Sequence, residues 1–171
     1  MSRTKRVFVM GFVTAVIAVL IAFTAYLTPQ ETNPAYDAAV SFADAAGKGD
    51  EATAYDLLSP QLKDYVRANC PDGRVSVCVD AYTPPEWGAM QSVVFRRAAP
   101  DMQEGRPTAY DVDLISTYAE GIGFSGVCIY TRMEQDDSGT WRVAAYAGWV
   151  SCGDAESRTM AANPDAPNRA P

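Results

Sequence analysis

The sequence predicts an α+β domain behind a single N-terminal membrane-spanning helix. Three observations carry this. An uncharged apolar run fills Val7 to Leu27, and the stretch after it repeats its apolar residues every three or four positions behind capped helix starts. Beyond Pro84-Pro85 the repeat shortens to two, the period of a strand with one buried face.

The apolar run, VFVMGFVTAVIAVLIAFTAYL, is twenty-one residues long. At about 1.5 Å per residue it reaches roughly 30 Å as a helix, the hydrocarbon thickness of a bilayer. Arg3, Lys5 and Arg6 form a basic stub over 1–6, and the next basic residue is Lys48, after Glu31, Asp37 and Asp44. That asymmetry predicts a cytoplasmic N-terminus and an extracytoplasmic chain after Leu27, a single-pass protein of the cell membrane. A cleaved signal peptide is the alternative, but its apolar core is usually about 7 to 15 residues, followed by a small-x-small site. Here the best such site, Ala22-x-Thr24, still lies inside the apolar run, which favours an uncleaved anchor. A lipoprotein signal would need a cysteine just after the run, and the first cysteine is Cys70.

After a short linker, Asn33-Pro34 supplies a cap and a first-turn proline for a helix over Ala35 to Ala46. Gly47-Lys48-Gly49-Asp50 ends it and caps a second helix carrying Ala54, Tyr55, Leu57 and Leu58; Ser59-Pro60 restarts the chain towards Leu62, Tyr65 and Val66. These helices form a hairpin. Val75 to Met90 reads equally as a strand or as a short helix before Pro84-Pro85. Strands are expected over Gln91 to Ala98 and Thr108 to Tyr118, with a loop at Ala99 to Pro107, and a hairpin joins Gly123 to Glu134 with Thr140 to Cys152. Asp136-Asp137-Ser138-Gly139 is its turn. The domain then spans 33–153, and 154–171, poor in large apolar residues and ending ANPDAPNRAP, reads as a disordered tail.

All four cysteines, Cys70, Cys78, Cys128 and Cys152, fall on the side assigned to the outside, which favours two disulfides. Cys70 and Cys78 bracket the turn-forming Pro71-Asp72-Gly73, so their pairing is the first choice. Elimination would then join Cys128 to Cys152, yet the expected hairpin places Cys128 opposite Gly148 or Trp149. The sulfurs would start roughly 10 Å or more apart, unless a bulge at Gly148 closes part of the gap. Free buried thiols and a metal site are the other readings, and no C-x2-C spacing supports the metal.

The chain contains no histidine, which removes Ser/His/Asp and Cys/His nucleophile systems and histidine-ligated zinc. Its net charge is −7, and three of its 14 basic residues sit in the first six positions, so the rest is more acidic still. A nucleic-acid groove needs the opposite sign. No cofactor, metal or catalytic set is predicted.

The segment FADAAGKGDEATAYDLLSPQL, Phe42 to Leu62, resembles the helical hairpin of the nuclear-transport-factor-2-like domains, whose fold is also called cystatin-like. The resemblance implies helices covering one face of a curved antiparallel sheet, a cone with a pocket at its open end, over residues 35–152. It implies no single function, because the fold hosts isomerases, hydratases, carriers and assembly modules. A single span followed by such a domain is also similar in architecture to inner-membrane assembly components of type IV secretion and to membrane proteins associated with mammalian-cell-entry transporters.

Enzymes of that fold often use an aspartate base with tyrosine donors, and Asp111, Asp113, Tyr110 and Tyr118 are the residues on offer. Alternation along a strand explains the two aspartates without chemistry, as the outer face opposite Tyr110, Val112 and Leu114. Trp87, Trp141, Tyr146 and Trp149 fit sheet packing, or stacking on a ligand. Arg96 and Arg97 should point to opposite faces. The function expected is a membrane-anchored, non-catalytic domain that binds a protein partner or forms homo-oligomers through its sheet. A small-molecule pocket, or a pocket isomerase or hydrolase, is the alternative.

Overall fold

Caps written into the sequence start three of the four α-helices among the described residues. A computed structural model describes residues 33–120 and 126–171; the expected stub at 1–6 and span at 7–27 lie outside them. Among the described residues no helix is long and apolar enough to cross a membrane.

Helix α1, Pro34–Gly47, begins where the Asn33 side chain accepts from the Ala35 amide at 3.0 Å. Its Ala35, Ala39, Phe42, Ala43 and Ala46 are buried, a small-residue stripe that lets the helix lie close on the sheet. Asp50 caps α2, Glu51–Asp56, through the Thr53 amide, and Ser59 caps α3, Pro60–Asn69, through the Leu62 amide. The undecided stretch is helical: α4 runs Val75–Tyr82. Its own cap position, Arg74, makes no side-chain bond. Glu51 of α2 does the work instead, accepting from the amides of Val75 and Ser76 at 3.2 and 2.9 Å and from the Ser76 hydroxyl at 2.6 Å.

Four strands follow, β1 Met90–Gln103, β2 Arg106–Tyr118, β3 Val127–Gln135 and β4 Trp141–Ser151, in one antiparallel sheet of order β1-β2-β3-β4. The fold is thus α+β, an open antiparallel sheet with helices on one face. The expected loop at Ala99 to Pro107 is instead mostly strand, turning at Glu104-Gly105. Pro100 is tolerated there because β1 is an edge strand, where a missing amide breaks no interior ladder. The beginning of the expected Gly123 to Glu134 strand falls among undescribed residues, and β3 is paired from Val127.

The core lies between α1 to α4 and one sheet face, where Phe42, Leu58, Leu62 and Val66 meet Leu114, Ile129, Met133, Tyr146 and Trp149. A second, smaller cluster lies on the back of the sheet, where Met160 and Ala166 cover Cys128, Tyr130 and Ala147. This corrects the expected disordered tail. Residues 154–171 fold over the sheet: Ala170 exchanges hydrogen bonds with Tyr146 at 2.9 and 3.2 Å, and the Gly148 amide donates to Pro167 O at 2.8 Å. Composition misled because the segment contributes few large side chains and is held mainly by backbone bonds. The compact unit accordingly extends over Asn33–Pro171.

Candidate functional site

Register decides where each expected site residue goes. In β2, Tyr110, Val112, Leu114 and Tyr118 share the helix-covered face, so Asp111 and Asp113 point to the back. There the two carboxylates belong to ion pairs. Arg132 of β3 donates to Asp111 at 3.2 Å, to Asp101 of β1 at 2.8 Å and to Glu134 at 2.8 Å, and the Tyr130 hydroxyl donates to Asp111 at 2.7 Å. Asp113 pairs with Arg97. Burial, which would weaken the Arg132 guanidinium's hold on its proton, is outweighed by its carboxylate neighbours, led by Asp101 and Glu134, and the group stays charged. Burial and the bond to Asp111 push the Tyr130 phenol up. The arrangement stitches β1, β2 and β3 together across the back of the sheet.

The four candidate residues are therefore split between faces. Tyr110 packs edge-on to Tyr36 at 5.2 Å and against Trp141 at 5.3 Å. Tyr118 is buried and lines a cavity of ≈ 490 Å³ between the end of α1, α4 and the start of β1. Burial raises its phenol, with Thr83 and Ser116 close enough to oppose the shift but not to form a well-directed bond. Asp80, Lys48 and Arg74 share that cavity, while Asp111 and Asp113 do not reach it.

The aromatics are likewise dispersed. Trp87 packs on Tyr118, Trp141 on Tyr110, and only Tyr146 and Trp149 touch each other, edge-on at 5.6 Å. Three residues apart, these two would face opposite ways on a regular strand. A bulge at Gly148 and Trp149, both with positive φ (108° and 53°), turns Trp149 to the same face. A side chain at Gly148 would strike Cys128 O and the Met160 sulfur, so the bulge needs glycine.

That bulge also resolves the cysteine register. Two irregularities in the β3-β4 pairing advance Cys128 to a position opposite Val150, and Cys152, just past the strand, bonds to it with a Cα separation of 5.0 Å. Cys70 is bonded to Cys78, tying the end of α3 to α4. Both bonds are of a kind that persists in an oxidising environment.

A bulge in β1 between Phe95 and Arg97 overturns another expectation: Arg96 and Arg97 do not face apart but line one cavity of ≈ 420 Å³ on the back of the sheet, with Cys152, Ser157 and Arg158. Neither the bulge nor the approach of Arg158 has a sequence signal, since strand alternation predicts the reverse and the tail reads as unstructured.

At the β3-β4 turn, hydrogen bonds from the Ser138 hydroxyl, then from Arg142 and the Thr140 amide, hold the Asp136 carboxyl well below its ordinary range. Asp50 is lowered by the Thr53 hydroxyl it accepts from. Both shifts serve local structure, a turn and a helix cap.

Exposed apolar surface lies on β1. Among the described residues the exposed large hydrophobics are Val94 (53 %), Phe95 (42 %) and Met102 (53 %), all on that strand. Compared with known proteins, the chain matches no family model, no curated protein and no solved structure.

Proposed function

We propose that the protein is a single-pass membrane protein, anchored through residues 7–27, whose extracytoplasmic domain acts by association and not by catalysis, pairing with a second copy along β1. The observation that carries this is the exposure of Val94, Met102 and, beside its stacking on Tyr36, Phe95 on an edge strand that has no outer neighbour among the described residues. Tethering both copies a few residues above one membrane raises their effective concentration. Helices followed by antiparallel strands, with the Phe42 to Leu62 segment, support a nuclear-transport-factor-2-like, cystatin-like reading of the domain. The alternative, a pocket that binds or converts a small molecule, rests on the cavity beside Tyr118.

The test is photo-crosslinking in native membranes with a benzophenone amino acid at Phe95 or Met102, and at Ser138 as control. Dimer-sized adducts at the first two positions alone, lost in a Val94→Asp background, are expected, while Asp111→Asn with Asp113→Asn leaves the cellular role intact. Capture of a different protein at Phe95 would overturn self-pairing but keep association. Recovery of the protein in the soluble fraction would remove the anchor. Loss of function in the folded double variant, with nothing captured, would replace association by the pocket reading.

A further inference from the structure

The cavity between Arg96, Arg97 and Arg158 is unusual for this chain. Acidic residues outnumber basic ones 21 to 14, yet three exposed arginines, Arg96, Arg97 and Arg158, border one open space of ≈ 420 Å³. Only Arg97 has a carboxylate partner there, Asp113. Among the described residues Arg96 and Arg158 have none within ion-pair distance; the polar contact of Arg96 is the Cys128 sulfur at 3.5 Å, a weak acceptor.

The three groups come from separate segments, and each is placed by structure. The β1 bulge turns Arg96 to the side of Arg97. Arg158 ends a short 3-10 turn, Ala155–Arg158, which Ser157 fastens by donating to Cys152 O at 3.2 Å and Asp154 O at 2.8 Å. The Cys128–Cys152 bond fixes where that turn begins relative to β3. Three arginines bordering one open space set a positive field there, screened by water, of which the one paired carboxylate neutralises only part. Guanidinium forks match the oxygens of phosphate or carboxylate in pairs, and the volume falls in the range of about 300 to 1,000 Å³ seen for small-molecule sites.

We propose that this cavity binds a phosphate group, the dianionic oxyanion whose charge balances three guanidiniums against one carboxylate. The group comes either from a soluble phosphate ester or from a lipid headgroup, since the chemistry recognised is the same. The site lies on the back of the sheet and does not depend on pairing along β1.

Isothermal titration of the full chain in uncharged maltoside micelles tests this, with inorganic phosphate as probe and chloride at matched ionic strength as control. Saturable one-to-one phosphate binding is expected, weakened at least tenfold by Arg96→Gln with Arg158→Gln. Heat indistinguishable from chloride, or unchanged affinity in that variant, would overturn the proposal. Arg96→Lys with Arg158→Lys keeps charge and packing but loses the forks, so several-fold weaker binding is expected. Affinity equal to wild type would mean a diffuse positive field in place of a built site, and would also overturn it. Short-chain phosphatidic acid supplies the second arm: displacement of phosphate identifies the lipid headgroup as the source, and failure to displace it identifies a soluble ester.

Discussion

The two edges of the sheet are treated in opposite ways. β4 is sealed by the protein's own chain along most of its length. Val143 exchanges backbone bonds with Leu57 and Ser59 at 2.9 Å each, and beyond it Tyr146 and Gly148 bond to Ala170 and Pro167. Asn168 adds a side-chain bond to Gly148 O at 2.7 Å. β1 has no such cover among the described residues, although at 14 residues it is the longer strand. It is restrained by other means: Pro100 removes a donor, Arg96, Arg97 and Asp101 place charge along it, and bulges interrupt its flatness. Among the described residues, sealing one edge and only guarding the other leaves β1 as the place where a strand can add.

The largest effect should come from unsealing β4. Removing residues 154–171 takes away four hydrogen bonds to the edge and the cover over Tyr130 and Ala147. The expected loss is about 4 to 6 kcal/mol, read from urea unfolding, with strong aggregation on light scattering. Stability and solubility equal to the full chain would show that the two edges are not distinguished by the tail.

A smaller effect sharpens the contrast by region. The Cys128–Cys152 bond spans 24 residues and steers the tail across the back of the sheet, whereas Cys70–Cys78 spans 8 within the helical layer. Replacing each pair by alanine should cost about 3.5 and about 2.5 kcal/mol respectively. Only the first replacement should raise hydrogen exchange at Tyr146 and Gly148. Equal exchange in both variants would sever the link between that bond and the sealed edge.

The smallest effect concerns the guarded edge. Arg132 links Asp101 of β1 to Asp111 of β2, so Arg132→Met should loosen β1 at a cost of about 1 to 2 kcal/mol, since the pairs are partly exposed. Faster exchange is expected in β1 near Asp101 and no change in β4. Loosening of β4 instead would mean that the ion pairs support the whole sheet and not its open edge.

Much of this architecture was legible residue by residue. Asn33-Pro34, Asp50 and Ser59-Pro60 announce their helices because a cap is a local bond between neighbours. The alternation in β2 assigned Asp111 and Asp113 to the face away from the core, since a period of two leaves no other choice. The anion cavity was not legible, because it depends on a bulge that puts adjacent arginines on one side and on a tail whose bonds are made by backbone groups common to every residue.

By itself the sequence determined the α+β class, the capped helices followed by antiparallel strands, the candidate pairing of Cys70 with Cys78 and the acidic balance of the chain. All of these depend on local bonds, short loops or summed charge. Tertiary structure alone decided that Val75–Tyr82 is a helix, through the Glu51 carboxylate that caps it from another helix. It also decided that Cys152 reaches Cys128, through added residues in β4, and that 154–171 closes one sheet edge while β1 has no such cover among the described residues. In each case the partner lies well beyond the reach of a local bond, from Gly148 to Pro167 at the nearest, or the register shifts by one, and neither leaves a periodic trace for composition or pattern to report.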